Sequence, residues 1–335
     1  MIPPKVYIII LNWNNYRDSK TGIESLLKSD YLNKQILVVD NGSTDNSGIL
    51  LRGDFPDLHF IYNAENLGFA RGCNVGIRAA LQDRDCAYVL LFNNDAVATP
   101  NFLQKAVEVA ESDKNIGLVG GKILRSPECK KIWYAGGHVD VWRCQGVARG
   151  WGEIDRGQYD RDEEVDFVTG ALMLIKREVL EKAGLLPEEY FFGVEEFDYS
   201  VAVKRAGYSL YYVPDFLVYH RGDGSHGNYD PKYAYIYYRQ KLIFMEKYLP
   251  KGFFPFWKIA FKLYGKFIFK PLRTKNILKH HADKKEKLIG ALDDLRIAMK
   301  AAVADHGKNY LSEDTMQQFD HSLKSMRNNA ALTIN

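Results

Sequence analysis

Four short clusters hold the residues of this chain that could do chemistry. Asn93-Asn94-Asp95 ends a continuous apolar run, Tyr88-Val89-Leu90-Leu91-Phe92. A carboxylate at such a strand end can hold a hard cation, and the cation can hold phosphate oxygens. That points to nucleotide-diphosphate chemistry; a helix cap would use the same acid. In Val38-Val39-Asp40-Asn41-Gly42-Ser43-Thr44-Asp45 a second acid follows a second apolar run. Asp40 there could accept a hydrogen bond from the N3–H of uracil or thymine, although a capping turn uses these residue types equally well. Asn66-Leu67-Gly68-Phe69-Ala70-Arg71-Gly72-Cys73-Asn74 combines glycines, which permit close backbone approach, with a helix start that presents N–H groups to an anion. Arg71 could grip a diphosphate bidentately, or be a solvated arginine on an ordinary helix start. The pattern is neither GxGxxG nor a P-loop. The last cluster, Phe191-Phe192-Gly193-Val194-Glu195-Glu196-Phe197-Asp198, puts three acids within four residues between aromatics. Acids at a helix start suit the helix dipole, and one of them could be a general base for a hydroxyl. Downstream, His220 precedes the Gly-rich stretch Arg221-Gly222-Asp223-Gly224-Ser225, a ligand or lid candidate.

The pattern around these clusters alternates strand and helix. Val6–Leu11, Gln35–Val39, Leu58–Tyr62, Tyr88–Phe92, Ile116–Val119, Val168–Ile175 and Tyr208–Val213 read as strands. Helical spacing follows Asp18, covers Phe69–Leu81, starts again near Asn101, and recurs at Arg177–Ala183 and Glu195–Ala206. Ser43 or Asp45 is expected to cap a helix. Residues 125–165 read as loops or short antiparallel strands. The class is therefore α/β, a mostly parallel sheet with helices on both faces. In such sheets ligands bind beyond the carboxyl ends of the strands, where Asp40 and Asp95 stand.

Composition narrows the classes. With 335 residues the chain suffices for one large α/β domain plus an extension. A hydrophobic fraction of 46% is that of a globular protein, and a net charge of +3 does not call for nucleic acid. Cys73, Cys86, Cys129 and Cys144 form no CxxC pair and read as reduced thiols of a cytosolic protein. The apolar run at Val6–Leu11 is too short for a signal peptide, and no run is long enough to span a bilayer.

Taken in order, the clusters resemble family 2 glycosyltransferases of the GT-A fold, in particular a rhamnosyltransferase-like branch. The matching text is Ile10-Leu11-Asn12-Trp13-Asn14, Val39 to Asp45, Asn66 to Ala70 with Gly72 and Asn74, Asn93-Asn94-Asp95, Val168-Thr169-Gly170-Ala171, and Glu195-Glu196-Phe197-Asp198, within about residues 4 to 245. The resemblance implies a Rossmann-like catalytic domain over residues 1–245. It implies that Asp40 meets the base, with Asn12 and Trp13 lining the same pocket and Gly68 and Arg71 on the donor side. Asn93 or Asn94 would face the ribose. Asp95 would hold Mg²⁺ or Mn²⁺ against the diphosphate, and His220 would complete the metal site. Thr169, Gly170 and Asp198 would lie on the acceptor side. Glu196 stands where the family has its catalytic base, here one methylene longer than the usual Asp, with Glu195 as second candidate. Asn-Asn-Asp lacks the first acid of the family's DXD. The implied reaction is an inverting transfer from dTDP-rhamnose or a UDP-hexose to a glycan or lipid-linked acceptor in bacterial cell-surface polysaccharide synthesis. A sugar nucleotidyltransferase is the rival enzyme, but Ile10–Asn14 lacks the Gly-rich loop, Arg and Lys it would need. A non-catalytic sugar-nucleotide-binding scaffold is the rival outside enzymes.

The last third carries another signal. Residues 246–282 form a basic aromatic segment: between Lys251 and Lys279 stand eight Lys or Arg residues and no acid, interleaved with Phe253, Phe254, Phe256, Trp257, Phe261, Phe267 and Phe269. Lys258, Lys262, Lys266 and Lys270 recur every fourth residue, a stripe on one side of a helix. That is how an interfacial helix on an anionic membrane is built, and also how a packed helix with snorkelling lysines looks. The expectation is a peripheral protein on the cytoplasmic face of the cell membrane. Residues 283–335 hold a further amphipathic helix, with Leu288, Leu292, Leu295, Met299 and Val303 on one face, docked on its own chain or on a second copy. A loosely ordered end is expected from Ser325.

Overall fold

The computed structural model describes residues 3–128, 130–220, 230–280, 285–308, 312, 314–321 and 323. These form two compact units: Met1–Asp140, Gln145–Glu188 and Glu195–Gly222 make one, and Val141–Cys144, Glu189–Val194 and Asp223–Asn335 the other. Contacts thus divide ahead of the expected 245/246 boundary, which falls inside the helix Pro231–Tyr248. The stretch from Arg221 to Tyr229, Cys129 and the end from Lys324 lie outside the described residues.

The first unit runs β1 (Lys5–Asn12), α1 (Tyr16–Leu27), β2 (Lys34–Asp40), α2 (Ser47–Asp54), β3 (His59–Tyr62), α3 (Phe69–Ala80), β4 (Cys86–Phe92), β5 (Ala96–Ala98), α4 (Phe102–Ser112), β6 (Ile116–Leu124), β7 (Ile132–Tyr134), β8 (Gly137–Asp140), β9 (Gln145–Ala148), β10 (Glu163–Val165), β11 (Leu172–Lys176), α5 (Arg177–Lys182), α6 (Glu195–Arg205) and β12 (Ser209–His220). The main sheet has the order β10-β12-β6-β11-β4-β1-β2-β3, and β8 and β9 form a separate hairpin. β1 to β4 pair in parallel, as β6 does with β12, while β11 runs against both its neighbours. The sheet is mixed but mostly parallel.

Helices cover both faces, as the apolar runs require. Ile9 faces α3: a Cβ at Gly76 would lie 2.8 Å from Ile9 and 3.1 Å from Val39, so glycine lets the helix sit close. The next residue, Ile10, pairs with Phe92, and Phe92 packs edge-on against Phe102 of α4 at 6.1 Å. Successive strand residues point to opposite faces, so α3 and α4 lie on opposite sides.

Three local outcomes differ from the pattern reading. Strand β11 begins at Leu172, and Val168–Ala171 is a loop whose Gly170 N–H is taken by a side chain. Strand β12 extends past Val213 to His220 because its pairing with β6 skips Pro214–Phe216 and resumes. A Cβ on Gly121 would come within 1.8 Å of the Phe216 carbonyl, so glycine permits the bulge. At α2 the N-cap is Asn46, left-handed at φ 63°, with no capping side chain; Asp45 accepts from the Ser47 N–H instead.

The second unit is helical: α7 (Pro231–Tyr248), α8 (Phe254–Leu263), a π-helical turn (Tyr264–Ile268), α9 (Phe269–His280) and α10 (Lys285–Ala304). Asp230 caps α7 by accepting from the Lys232 N–H, with Pro231 in the first turn where a missing N–H costs nothing. Its core is built from rings. Tyr235 and Phe319 stack at 4.3 Å and 4°. Leu242 and Phe261 pack with Met299, and Phe269 packs with Leu292 and Leu295. The apolar face of α10 is therefore covered by its own unit at these positions.

Candidate functional site

The four parallel strands β3-β2-β1-β4 reverse their order of addition between β1 and β4, and their carboxyl ends carry Asn12, Asp40 and Asn93. A switch point of this kind opens a crevice for a ligand. Register brings Asn12 directly beside Asp40. Asn12, fully buried, donates to Asp40 Oδ1 at 2.7 Å and to Ser47 Oγ at 2.9 Å. Its own oxygen accepts from Ser19 Oγ at 2.7 Å, and Ser19 in turn accepts from Asn94 Nδ2 at 2.9 Å. One chain of hydrogen bonds thus joins the Asp40 end of the crevice to the Asn93-Asn94-Asp95 turn. Ser43 donates to Asp40 Oδ1 at 2.6 Å, and Asn14 ties the loop after β1 to the same turn by accepting from the Thr44 N–H at 2.7 Å. Trp13, between them, is 39% exposed at the rim. Gly48 lies against the Asp40 carboxylate, where an added Cβ would stand 2.5 Å from its Cγ.

Beside this chain Asn41 forms a second hub. It donates to Asn66 Oδ1 at 3.0 Å and to the Gly68 carbonyl at 3.2 Å, and accepts from Asn63 Nδ2 at 2.9 Å. Gly68 sits at φ 79° as the N-cap of α3, a left-handed position suited to glycine. The Arg71 Nε donates to the Glu188 carbonyl at 3.1 Å, which joins Arg71 to the segment before α6.

At the other end of the crevice His220 meets Asp95. The imidazole Nε2 lies 2.9 Å from Asp95 Oδ1 and 3.0 Å from Asn93 Nδ2. His220 is buried, its Nδ1 has no hydrogen-bond partner among the described residues, and its ring packs on Trp133 at 4.9 Å. The carboxylate suits Mn²⁺ or Mg²⁺, and the imidazole beside it favours Mn²⁺, the softer of the two. Among the described residues no three His, Cys, Asp or Glu side chains gather into a metal site. Asp95 also lines an open pocket of about 240 Å³, together with Asp18, Thr21, Arg125 and Tyr219.

The acids at the start of α6 face a different environment. Glu196 Oε2 accepts from the Gly170 N–H at 2.5 Å and from Thr169 Oγ1 at 3.1 Å. Burial, with the Glu195 charge beside it, pushes the Glu196 carboxyl up to about 7, against the opposing pull of those two hydrogen bonds. Its residue as a whole is partly exposed, whereas Glu195 and Asp198 are buried. A carboxyl titrating near neutral pH in a recess with some access to solvent is placed for proton abstraction. Gly170 leaves room for it, since a Cβ there would lie 3.1 Å from both Glu196 Oε2 and the Phe69 ring. The loop that Glu196 holds also holds the crevice, because the Ala171 carbonyl accepts from the Asn93 N–H at 3.1 Å.

The structure therefore gathers Asn12, Asp40, Asn93, Asn94, Asp95 and His220 in one network and Thr169, Gly170, Glu195 and Glu196 in another, with Asn93 between them. Sequence reasoning missed Ser19, Asn41, Ser47 and Trp133. Ser47 stands seven residues after Asp40 and Ser19 is the fourth residue of α1, and no spacing in the sequence links either of them to Asn12.

A fold of this topology is of the GT-A type. The chain belongs to glycosyl transferase family 2, whose model matches residues 7–184, just over half of it. Curated relatives include the low-salt glycan biosynthesis hexosyltransferase Agl10 of Haloferax volcanii, 24% identical over 61% of this chain and 62% of that protein. The N-acetylglucosaminyl-diphospho-decaprenol L-rhamnosyltransferase of Mycobacterium tuberculosis is 22% identical over 63% of this chain and 74% of its own length. The dTDP-rhamnosyl transferase RfbF of Shigella flexneri is 23% identical over 66% and 70%. The chain spans about a third to three fifths of the length of the first relatives it matches. In fold it is similar to the mannosyltransferase PcManGT of Pyrobaculum calidifontis, solved with GDP-Man and Mn²⁺, at TM-score 0.52 and 18% identity over 99% of this chain and 81% of that one.

Proposed function

We propose that the first unit is an inverting glycosyltransferase that moves a sugar from a nucleotide-diphosphate donor to a glycan or lipid-linked hydroxyl in cell-surface polysaccharide synthesis. The observation that carries this reading is Glu196, a carboxyl raised to about 7 and hydrogen-bonded to the loop that buttresses Asn93. Asp40 binds the base edge, with Asn12 and Trp13 beside it and the Gly68 turn lining the donor side. Asn93 or Asn94 meets the ribose. Arg71 is a donor-binding residue in this reading, anchored through its Nε on the Glu188 carbonyl. Asp95 and His220 hold Mg²⁺ or Mn²⁺, which when bound neutralises charge on the leaving diphosphate.

The reaction is a single in-line displacement. Ionised Glu196 accepts the proton of the acceptor hydroxyl as its oxygen attacks the anomeric carbon. The bond to the diphosphate oxygen breaks with inversion. Glu195, buried next to Glu196, keeps its neighbour's proton affinity high enough for that task. Thr169 and Gly170 orient the base through Oε2, and Asp198 completes the acceptor side. RfbF and the mycobacterial relative favour a rhamnosyl donor, and Agl10 a hexosyl one. The protein works at the cytoplasmic face of the membrane, a reading supported by the basic aromatic segment after Lys251. No helix among the described residues is long and apolar enough to cross a bilayer.

A thermal-shift panel of dTDP-rhamnose, UDP-glucose, UDP-galactose and GDP-mannose, with and without Mn²⁺, tests donor choice and metal linkage together. Donor hydrolysis and the anomeric configuration of the product, read by NMR, test the chemistry. Retained configuration, or no shift with any donor, sinks the proposal. A shift without turnover would restore the scaffold reading.

A further inference from the structure

The second unit leaves one apolar face outward. Phe256 is 69% exposed, Ile259 59%, Leu263 49%, Phe267 60%, Ile268 48% and Leu272 54%. These residues run along α8, the π turn and α9. On the other side of the same rod Phe261 and Phe269 are buried against Leu242, Met299, Leu292 and Leu295.

The π turn keeps the two faces in phase. Eight residues of unbroken α-helix would put Phe269 about 80° away from Phe261 around the axis. The π turn absorbs one extra residue, closed by the Phe269 N–H on the Tyr264 carbonyl, and cuts the offset to about 20°. Likewise Leu263 and Ile268, five apart in sequence, become neighbours along one line. The device is anchored from α10. Arg296 donates to the carbonyls of Gly265 and Lys266 inside the turn, at 3.3 and 3.1 Å. Gly265 itself abuts Met299, leaving no room for a Cβ.

Charge marks what the outward face meets. Lys258 and Lys270 are turned to the unit's own side chains, His306 at 3.1 Å and Asp293 at 2.7 Å. Lys262, Lys266, Arg273 and Lys275 remain exposed beside the ridge, and no acid occurs from Lys251 to Ala282. A line of exposed Phe, Ile and Leu flanked by exposed cations, with no acid among the described residues of the same segment, fits an interface of acyl chains under anionic headgroups better than another folded surface. We infer that this ridge is the membrane-docking face of the protein, seated among anionic lipids, and that the π turn exists to hold it continuous. The inference deepens the peripheral-membrane part of the proposed function and is independent of the transfer chemistry.

Co-sedimentation with vesicles tests it, read without any turnover. The intact protein should bind phosphatidylglycerol/phosphatidylcholine vesicles and not phosphatidylcholine alone. Phe256→Ser with Phe267→Ser should lower the partition coefficient at least about tenfold. Lys262→Glu with Lys266→Glu should do so at low salt. Both pairs should leave melting and donor-induced thermal shift unchanged, which separates this result from failure of the enzymatic reading. Phe267→Trp supplies a gain of signal, an added emission over wild type that shifts to the blue with the anionic vesicles. Absent binding, binding indifferent to the ridge variants, or no blue shift from the introduced indole overturns the inference. So does a concentration-dependent dimer that the serine pair abolishes, for then a second copy covers the ridge.

Discussion

The two units bury different things. In the first, Asn12, Ser19, Asp40, Asn41, Ser47, Asn66, Asn74, Thr169, Glu195, Asp198 and His220 are all withdrawn from water. In the second, only Arg239 and Gln240 are buried polar residues among those described, and packed rings with Leu, Met and Ala fill the rest. A buried polar group is costly unless its partners are in place, so a network of them fixes positions. Rings fill space with less demand on geometry. The first unit therefore uses its interior to place side chains at strand ends. The second uses its interior to hold a surface outward.

The sharpest test of that contrast is Glu196→Gln. The substitution keeps shape and removes the base, so turnover should fall by about 10²-fold or more, with donor affinity kept. Stability should move the other way. Folding raises the Glu196 pKa, so its stabilising share is complete below about 4.5, the unfolded value, and is lost as pH rises through about 7. At pH 8 the wild type carries a disfavoured carboxylate that glutamine lacks, so the variant should melt at the same temperature or higher. Near-normal turnover would transfer the base role away from Glu196.

Asn12→Ala and Phe269→Ala set the two interiors against each other. Asn12 joins Asp40, Ser47 and Ser19, and its loss should cost about 3 kcal/mol and weaken donor binding together. Phe269→Ala should cost a similar amount, about 3 kcal/mol, from cavity formation, yet leave donor binding unchanged once the protein is folded. Urea melts and donor titrations check both. Equal loss of donor affinity in the two variants would abolish the distinction.

The same contrast explains what could be read in the sequence. Period and apolar runs announced β1, β2, β4 and α3, because a strand buried on both faces must be apolar throughout. The strand-end acids were visible for the same reason, as polar residues where a run stops. The hub of Asn12 was not legible. Its partners Ser19, Asp40 and Ser47 come from α1, β2 and α2, and only the register of β1 on β2 brings them together. The Glu196 shift was equally hidden, since it depends on Gly170 lacking a side chain and on Glu195 being buried. In the second unit the lysine stripe was visible, but it was two populations. Lys258 and Lys270 turn to the unit's own side chains, and only the π turn, which periodicity cannot reveal, aligns the ridge beside Lys262 and Lys266.

Titration sharpens the comparison at one atom. If Glu196 acts ionised, turnover at saturating donor should rise with pH through about 7 and level off above it. At one unit below the midpoint it should be about a tenth of the plateau. Glu195→Gln removes the neighbouring charge that helps hold the carboxyl up, so the midpoint should move to lower pH. A midpoint unmoved by that change would leave burial as the whole cause.

The smallest expected effect is also the most local. Gly48 touches the Asp40 carboxylate, and a methyl there must displace it. The backbone of Gly48 sits inside α2, where alanine gains up to about 1 kcal/mol of helix propensity, and this offsets part of the cost of disturbing the Asp40 bonds, so Gly48→Ala should lower stability by no more than about 2 kcal/mol. Donor affinity should nonetheless fall by roughly tenfold, equivalent to about 1.4 kcal/mol, because Asp40 can no longer satisfy Asn12 and Ser43 from its present position. Isothermal titration with dTDP and with UDP reads this directly. If the loss appears with both nucleotides and vanishes for the bare diphosphate, Asp40 binds the base. If all three weaken alike, the Asp40 end is scaffolding for the Asn93-Asn94-Asp95 turn through Asn12 and Ser19, and the polar network of the first unit positions the diphosphate rather than reading the nucleotide.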